Sequence, residues 1–259
     1  MGILTIKILG NGGCVNNGLP YSACLINGHF LVEAPPDLMV SLKKLRLDFE
    51  KIDTIFISHL HGDHTFGLPF LIINKWINTL QGTTSTPLTI LGPQGIEQHV
   101  KTVTEAAFSS SHPCNAWIGD NVLFKIISAD FEMKLDGLSV SCFDVQHIVE
   151  TYGLLLSANN QKLFAYISDT RWCQEVEQVL TSQPRIVLMD MNGGDPSIHV
   201  SLSEVIEKGL PITGSDTICY GTHLTEEFDT IHANIKCAKQ GEEIVIDYEN
   251  RKSNQGAPD

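Results

Sequence analysis

The 259-residue chain is poor in positive charge. It has 17 Lys and Arg against 30 Asp and Glu, a formal net charge of −13. A broad electrostatic grip on DNA or RNA needs many Lys and Arg contacts to phosphate, so this balance argues against a non-specific nucleic-acid binder. It leaves room for a local positive site of the kind a bound metal supplies. No run of about 18 apolar residues is present, so no membrane span is expected. The opening MGILTIKIL has neither a basic n-region nor a cleavage motif, so no signal peptide is expected, and a cytoplasmic protein is. The seven cysteines are odd in number and contain no C-x-x-C pair, which speaks against a disulfide framework or a cysteine-based zinc site. They are expected to be small buried hydrophobes. Three catalytic signatures are also missing. Gly10-x-Gly12-Gly13 lacks the third glycine of a dinucleotide fingerprint, and there is no G-K-[ST] and no G-x-S-x-G.

What is present reads as strands alternating with helices. Asn27-Gly28 and Asp136-Gly137 are two-residue hairpin turns between apolar runs. Asp37 is placed to cap a helix carrying Leu38, Leu42 and Leu45, and Ser201 with Glu204 forms a capping box. Phe66–Leu80 is apolar on nearly all sides and is expected to be a buried helix, in the core or in a homodimer interface. Glu226–Ala238 is expected to be a last helix. Residues 1–248 are expected to form one domain, and 249–259 a polar, disordered tail. Two packed sheets with helices outside accommodate this order.

The chemistry concentrates in Ser58-His59-Leu60-His61-Gly62-Asp63-His64, directly after the apolar run Asp53–Ser58. His59 and His61 are two apart and point the same way in an extended chain. Asp63 and His64 follow Gly62, where a turn presents them to a second position. Four ligand-type residues in six positions suit two adjacent metals better than one. His147, Asp169 and His223 each follow a later apolar strand and are candidates for the remaining ligands. A buried Asp169 needs a partner, and a pair of metals would provide it. An N/O donor set favours Zn²⁺ and is compatible with Mn²⁺. Phe66, Phe108 and Trp117 are candidates for stacking on a base, and His112 for a substrate contact. His29, His99 and His232 read as structural.

With these residues the chain resembles the metallo-β-lactamase fold superfamily, an α/β architecture of two mixed sheets flanked by helices, and within it the ribonuclease Z branch. The resemblance runs from residue 3 to about 240. It is carried by HLHGDHTFGLP (59–69), LGPQGI (91–96), YGLLL and YISDT (152–170), HVSLSEV (199–205) and GTHLT (221–225). It implies that His59, His61 and His147 hold one metal, that Asp63, His64 and His223 hold a second, and that Asp169 bridges them. It also implies that Asp63 and His199 serve the chemical step, His199 by protonating the leaving oxygen. Two departures matter. Only 22 positions separate His147 from Asp169, enough for one hairpin and too few for the arm with which ribonuclease Z grips tRNA. The family's HEATF segment is Leu188-Met189-Asp190-Met191-Asn192 here, which makes Asp190 a candidate partner of His199. The armless relatives are phosphodiesterases on smaller substrates, including phage enzymes that degrade cyclic-nucleotide signals. The expectation is therefore hydrolysis of a small nucleotide phosphodiester, a cyclic nucleotide above others, by a metal-bridging hydroxide. The alternatives are a tRNA 3′-processing endoribonuclease, a thioester or lactam hydrolase, and a non-catalytic binding protein.

Overall fold

The computed structural model describes residues 2–82 and 86–248, so the expected tail at 249–259 and part of the polar loop near 81–87 lie outside the described residues. In chain order the strands and helices are β1 (Ile3–Gly10), β2 (Ala23–Ile26), β3 (Phe30–Val32), α1 (Leu38–Lys44), β4 (Thr54–Phe56), α2 (Gly62–Thr65), α3 (Leu68–Leu80), β5 (Leu88–Gly92), α4 (Ile96–Phe108), α5 (Cys114–Asn121), β6 (Val122–Ile126), β7 (Glu132–Leu135), β8 (Leu138–Asp144), β9 (Tyr152–Ala158), β10 (Gln161–Ile167), α6 (Gln174–Thr181), β11 (Ile186–Asp190), a short helical segment over 202–209, β12 (Ile218–Thr222), β13 (Ile235–Cys237) and β14 (Glu243–Asp247). They build two seven-stranded sheets, ordered β14-β1-β2-β3-β4-β5-β6 and β13-β12-β11-β10-β9-β8-β7. Strands β3 to β6 run parallel, as do β10 to β13, so the C-terminal ends of each set share one edge.

Strand alternation places the core. Cys24 and Ile26 of β2 and Phe56 of β4 face the second sheet, while Leu25 and Ile55 face the helices of their own layer. On the other sheet Phe164 and Tyr166 point inward, and Ala165 and Ile167 point out toward α6. The result is a four-layer sandwich. Both expected hairpins form, with Asn27 and Gly28 at φ 49° and 76° and Asp136 and Gly137 at φ 49° and 81°. The interval from His147 to Asp169 is spent on the β9–β10 hairpin, whose turn is Asn159-Asn160.

Three expectations fail in physically readable ways. The α3 helix is not buried on all sides: Phe70 is 47% and Leu80 66% exposed, with Phe66 just before the helix at 49%, whereas Lys75 is fully buried and donates to the Glu50 carbonyl at 3.1 Å. The stem of Lys75 does the packing that the apolar pattern credited to its neighbours. Residues 226–234 are not helical, and the apolar residues Ile235 and Cys237 belong to strand β13 instead, alternating in a parallel pairing with β12. Asp37 precedes α1 without capping it, because its carboxylate accepts from the Tyr21 amide at 3.2 Å. The Ser201–Glu204 capping box is present.

Candidate metal centre

Every sequence-predicted ligand sits just past a strand end on the shared edge of the sandwich. Ser58 to His64 leave β4, with Gly62 opening α2. His147 follows β8, Asp169 follows β10, Asp190 ends β11 and His223 follows β12. One sheet thus contributes His59, His61, Asp63 and His64, and the other His147, Asp169 and His223. A cross-sheet hydrogen bond from the Ser168 hydroxyl to that of Ser58 (2.7 Å), and another from the Tyr152 amide to the Ser58 carbonyl (3.1 Å), hold the two edges together.

The predicted residues converge as two adjoining clusters. His59, His61 and His147 present ligand atoms within 4.8 Å of one another, and so do Asp63, His64, Asp169 and His223. His59 Nε2 faces His61 Nδ1 at 2.9 Å. Asp169 Oδ2 lies between the clusters, 3.1 Å from His223 Nε2, 3.5 Å from His64 Nε2 and 3.9 Å from His59 Nε2. Asp63 Oδ2 is 3.3 Å from His223 Nε2 and 3.5 Å from His64 Nε2.

The donors fit divalent cations on their own geometry. Both ring nitrogens of His64 and of His147 are buried without a hydrogen bond, and so is Nδ1 of His223. Orphaned buried imidazoles are costly unless something accepts their lone pairs. The charges tell the same story. Burial opposes ionisation of Asp169, but His223 and His64 hold its carboxyl well below the usual range. Burial opposes protonation of His223, yet Asp169, Asp63 and Asp190 lift its pKa to about 9. For His147 burial wins over the pull of Asp169 and drops it to about 4. Among the described residues no Lys or Arg lines the cavity, and the buried carboxylates there face imidazoles. That is the electrostatic demand a cation pair answers.

His199 lies beside both clusters, its ring 5.7 Å from that of His147 and stacked at 5.0 Å on that of His223. Its Nδ1 is 2.6 Å from Asp190 Oδ2, and Asp190 Oδ1 accepts from the Asn192 amide at 2.8 Å. Burial lowers the affinity of His199 for a proton, but the bond to Asp190 outweighs this and raises it above the ordinary histidine range. The Asp190 partnership expected from the sequence is therefore present.

The cavity around these residues has a volume of about 570 Å³ and is rimmed by Tyr21, Phe66, Ile148 and Ile198. Of the aromatic candidates only Phe66 reaches it. Trp117 is buried in the core, and Phe108 packs edge-on to Phe70. His112 lies against Trp76 and Phe108, away from the cavity, and His29 and His99 bond to Asp53 and Thr65. Six cysteines are buried as expected, whereas Cys14 is exposed at the cavity wall.

Two further residues shape the site. Gly13 lies so close to His223 that a Cβ there would meet the His223 carbonyl at 2.7 Å and its Nδ1 at 2.8 Å. Glu33 is fully buried behind His64, with Oε1 3.4 Å from His64 Nδ1. A glutamate closing an apolar strand run was the available signal.

Comparison with known proteins follows the same lines. Ribonuclease Z of Staphylococcus carnosus (strain TM300) is 32% identical over 140 residues, which are 54% of this chain and 41% of that protein. Ribonuclease BN of Escherichia coli O17:K52:H18 (strain UMN026 / ExPEC) is 38% identical over 112 residues, 43% of this chain and 33% of that one. The chain thus matches less than half the length of these curated relatives. Among solved structures, a diphosphatase of the PhnP family superposes with a TM-score of 0.74 at 17% identity, over 95% of this chain and 98% of that one. The metallo-β-lactamase fold protein YhfI from Bacillus subtilis gives 0.73 at 17%, over 94% and 100%. Human tRNase Z, short form, gives 0.68 at 18%, over 93% and 98%. At these identities the likeness establishes the fold, which is that of the metallo-β-lactamases. A family profile described as "Anti-Pycsar protein Apyc1" matches residues 4–243, nearly the whole chain, and the chain belongs to that family.

Proposed function

We propose that the protein is a dinuclear metal-dependent phosphodiesterase acting on a small nucleotide phosphodiester, a cyclic nucleotide in the first instance. His59, His61 and His147 would hold one cation, Asp63, His64 and His223 the other, and Asp169 would face both. Zn²⁺ suits the donors and Mn²⁺ is compatible. When bound, such a pair acidifies water and stabilises charge on phosphoryl oxygens. The chain's own residues supply the rest. His199, held by Asp190, carries its proton on the far nitrogen toward the cavity and delivers it to the departing sugar oxygen. Asp63 fixes His223 and His64 against the reacting phosphate. Phe66, whose ring rests on Gly62 between the ligands His61 and Asp63, offers a face for a base.

The observation that carries this reading is the 2.6 Å Asp190–His199 pair beside two ligand clusters in one open cavity. It supplies a proton donor, which phosphodiester cleavage requires at the leaving group. The two-residue turn of the β9–β10 hairpin, where a tRNA-gripping arm would emerge, supports a compact substrate. The ribonuclease Z relatives favour tRNA 3′-processing as the second reading. The test is one panel: metal-loaded protein against cyclic mononucleotides, linear dinucleotides and precursor tRNA. Turnover of cyclic nucleotides is expected. Cleavage of precursor tRNA with cyclic nucleotides untouched would select the second reading. A homodimer through the exposed Phe70, Ile77 and Leu80 of α3, and a cytoplasmic location near nucleotide substrates, belong to the same proposal. Light scattering at the mass of one chain would reject the dimer.

A further inference from the structure

We infer that His99 is a positioning residue of the first cluster: its Nε2–H donates to the Thr65 hydroxyl, which in turn donates to the His61 carbonyl, so that helix α4 fixes the turn from which the His61 ring projects. This rests on the dinuclear reading above and deepens it.

His61 needs support from outside its own side chain. Its neighbours His59 and His64 are buried, whereas His61 is half-buried at the cavity wall. Its ring faces other ligand imidazoles, with Nδ1 2.9 Å from His59 Nε2 and the His147 ring at 5.2 Å. What sets its aim is the backbone beneath it. There His61 stands before the first residue of α2, in extended backbone at φ −66° and ψ 152°, with no capping bond from its own side chain. Helix α2 is a single turn of four residues, too short to hold a shape without tertiary partners. The partner that reaches it is Thr65. This residue is fully buried, and its hydroxyl donates to the His61 carbonyl at 2.9 Å. A hydroxyl has one proton, and that bond uses it. The same oxygen lies 2.9 Å from His99 Nε2, so there it accepts and His99 donates. Burial holds His99 below the ordinary histidine range. The neutral ring carries one proton, and the bond to Thr65 places it on Nε2. Two hydrogen bonds in series, meeting at a hydroxyl closed off from water, make a firm tie. Its far end is rigid: Ile96 and Val100, on either side of His99 in α4, are fully buried in the core of the first sheet. The start of α4 also lies against the ligand loop, where a Cβ on Gly95 would meet Leu60 Cδ1 at 4.0 Å. The position of α4 is thereby passed to His61.

The test reads metal affinity and ligand geometry rather than turnover. Wild type, Thr65→Val, Thr65→Ser, His99→Leu and the Thr65→Val/His99→Leu double variant are loaded with Zn²⁺ and assayed for metal per chain against graded chelator. His61→Ala marks which release step belongs to the first cluster, and visible spectra of the Co²⁺-loaded proteins report its geometry. Thr65→Val keeps the shape and removes the hydroxyl. It is expected to weaken the first ion about 2–10-fold, the net worth of one hydrogen bond, to shift the Co²⁺ spectrum, and to leave the second ion as in wild type. His99→Leu should also weaken the first ion and should add nothing in the Thr65→Val background, because both act through one hydroxyl. Thr65→Ser should bind as wild type does. A first ion held by His99→Leu at wild-type affinity, with an unchanged spectrum, overturns the inference. So do additive losses in the double variant, or both ions weakened alike with a lowered metal-free melting temperature, which would make His99 a brace of α4 alone. If His99→Leu does not fold, His99→Gln and His99→Met take its place. The amide can still donate to Thr65 and should keep the first ion, the thioether cannot and should weaken it, and equal affinities overturn the inference. A wild type that takes up fewer than two ions overturns the dinuclear reading, whereas two ions with His99→Leu unchanged overturn this inference alone.

Discussion

At the scale of single residues, the site depends on what stands next to each ligand. His223 has φ 55°, and the chain reaches this conformation against Gly13, which has no Cβ to obstruct it. A methyl at 13 must displace His223 or its carbonyl. Gly13→Ala should therefore cost about 1–3 kcal/mol by denaturant titration and reduce bound metal; a variant with full stability and full metal would show that the loop absorbs the methyl elsewhere. His199 makes the opposite prediction. It stacks on the His223 ring but belongs to neither of the two proposed clusters, so His199→Ala should keep its metal while turnover falls about 10²–10⁴-fold, the range of general-acid catalysis. Normal turnover would remove His199 from the chemistry. Asp169→Ala should lose at least one ion, and elemental analysis giving two per chain would refute its place between the clusters.

At the scale of elements, the helix α3 carries the sharpest lesson. Lys75 is fully buried on it, and burial pushes its ammonium below the usual lysine range, with Glu50 pulling partly the other way. Between the lowered folded pKa and the unfolded value of about 10.4, the unfolded chain binds the proton that the folded one has lost, so stability from this group rises with pH. Lys75→Met lacks that contribution. The stability of Lys75→Met relative to wild type should therefore decline as pH climbs through the alkaline range. A difference that stays flat in urea titrations at pH 8 to 10 would contradict the depressed value. Apolar periodicity alone could not find this, because it scores Lys75 as a solvent residue and Phe70 as a core one. The same blindness produced a helix at Glu226–Ala238, where apolar residues lie near helical spacing but Ile235 and Cys237 are claimed by pairing with β12, and the Asn234 side chain bonds to the Ser215 and Thr217 carbonyls. Local signals fared better. Asn27-Gly28 and Asp136-Gly137 turn the chain because their φ preferences are intrinsic, and the His59–His64 run was legible because its donors lie within six positions of one another. His147, Asp169 and His223 were readable only as strand-end residues until resemblance singled them out. Glu33 offered only a glutamate closing an apolar run, since the partner that gives it meaning is His64, across a different strand end.

At the scale of the whole molecule, the two clusters draw on both halves of the sandwich. His59, His61, Asp63 and His64 leave the first sheet; His147, Asp169 and His223 leave the second. Each cluster draws from both, so neither can be satisfied by one sheet alone. Between the sheets the core is apolar, from Ile6, Phe30 and Phe56 to Leu154, Phe164 and Tyr166. The edge that carries the clusters is different: there, buried carboxylates and imidazoles replace apolar contacts. Cations that bind the folded chain and not the unfolded one add RT ln(1 + [L]/Kd), about 4 kcal/mol for a site a thousandfold above its Kd. For a chain of this size each kcal/mol moves the melting temperature by about 2–4 °C. Stripping metal with a chelator should therefore lower the melting temperature on the order of 10 °C while leaving far-ultraviolet circular dichroism unchanged at room temperature, because the sandwich core remains. Readdition of Zn²⁺ should restore it. A melting temperature indifferent to chelator, in a protein shown to have released its metal, would mean that the clusters do not couple the sheets and that the cross-sheet bonds from Ser168 and Tyr152 to Ser58 suffice to close the edge.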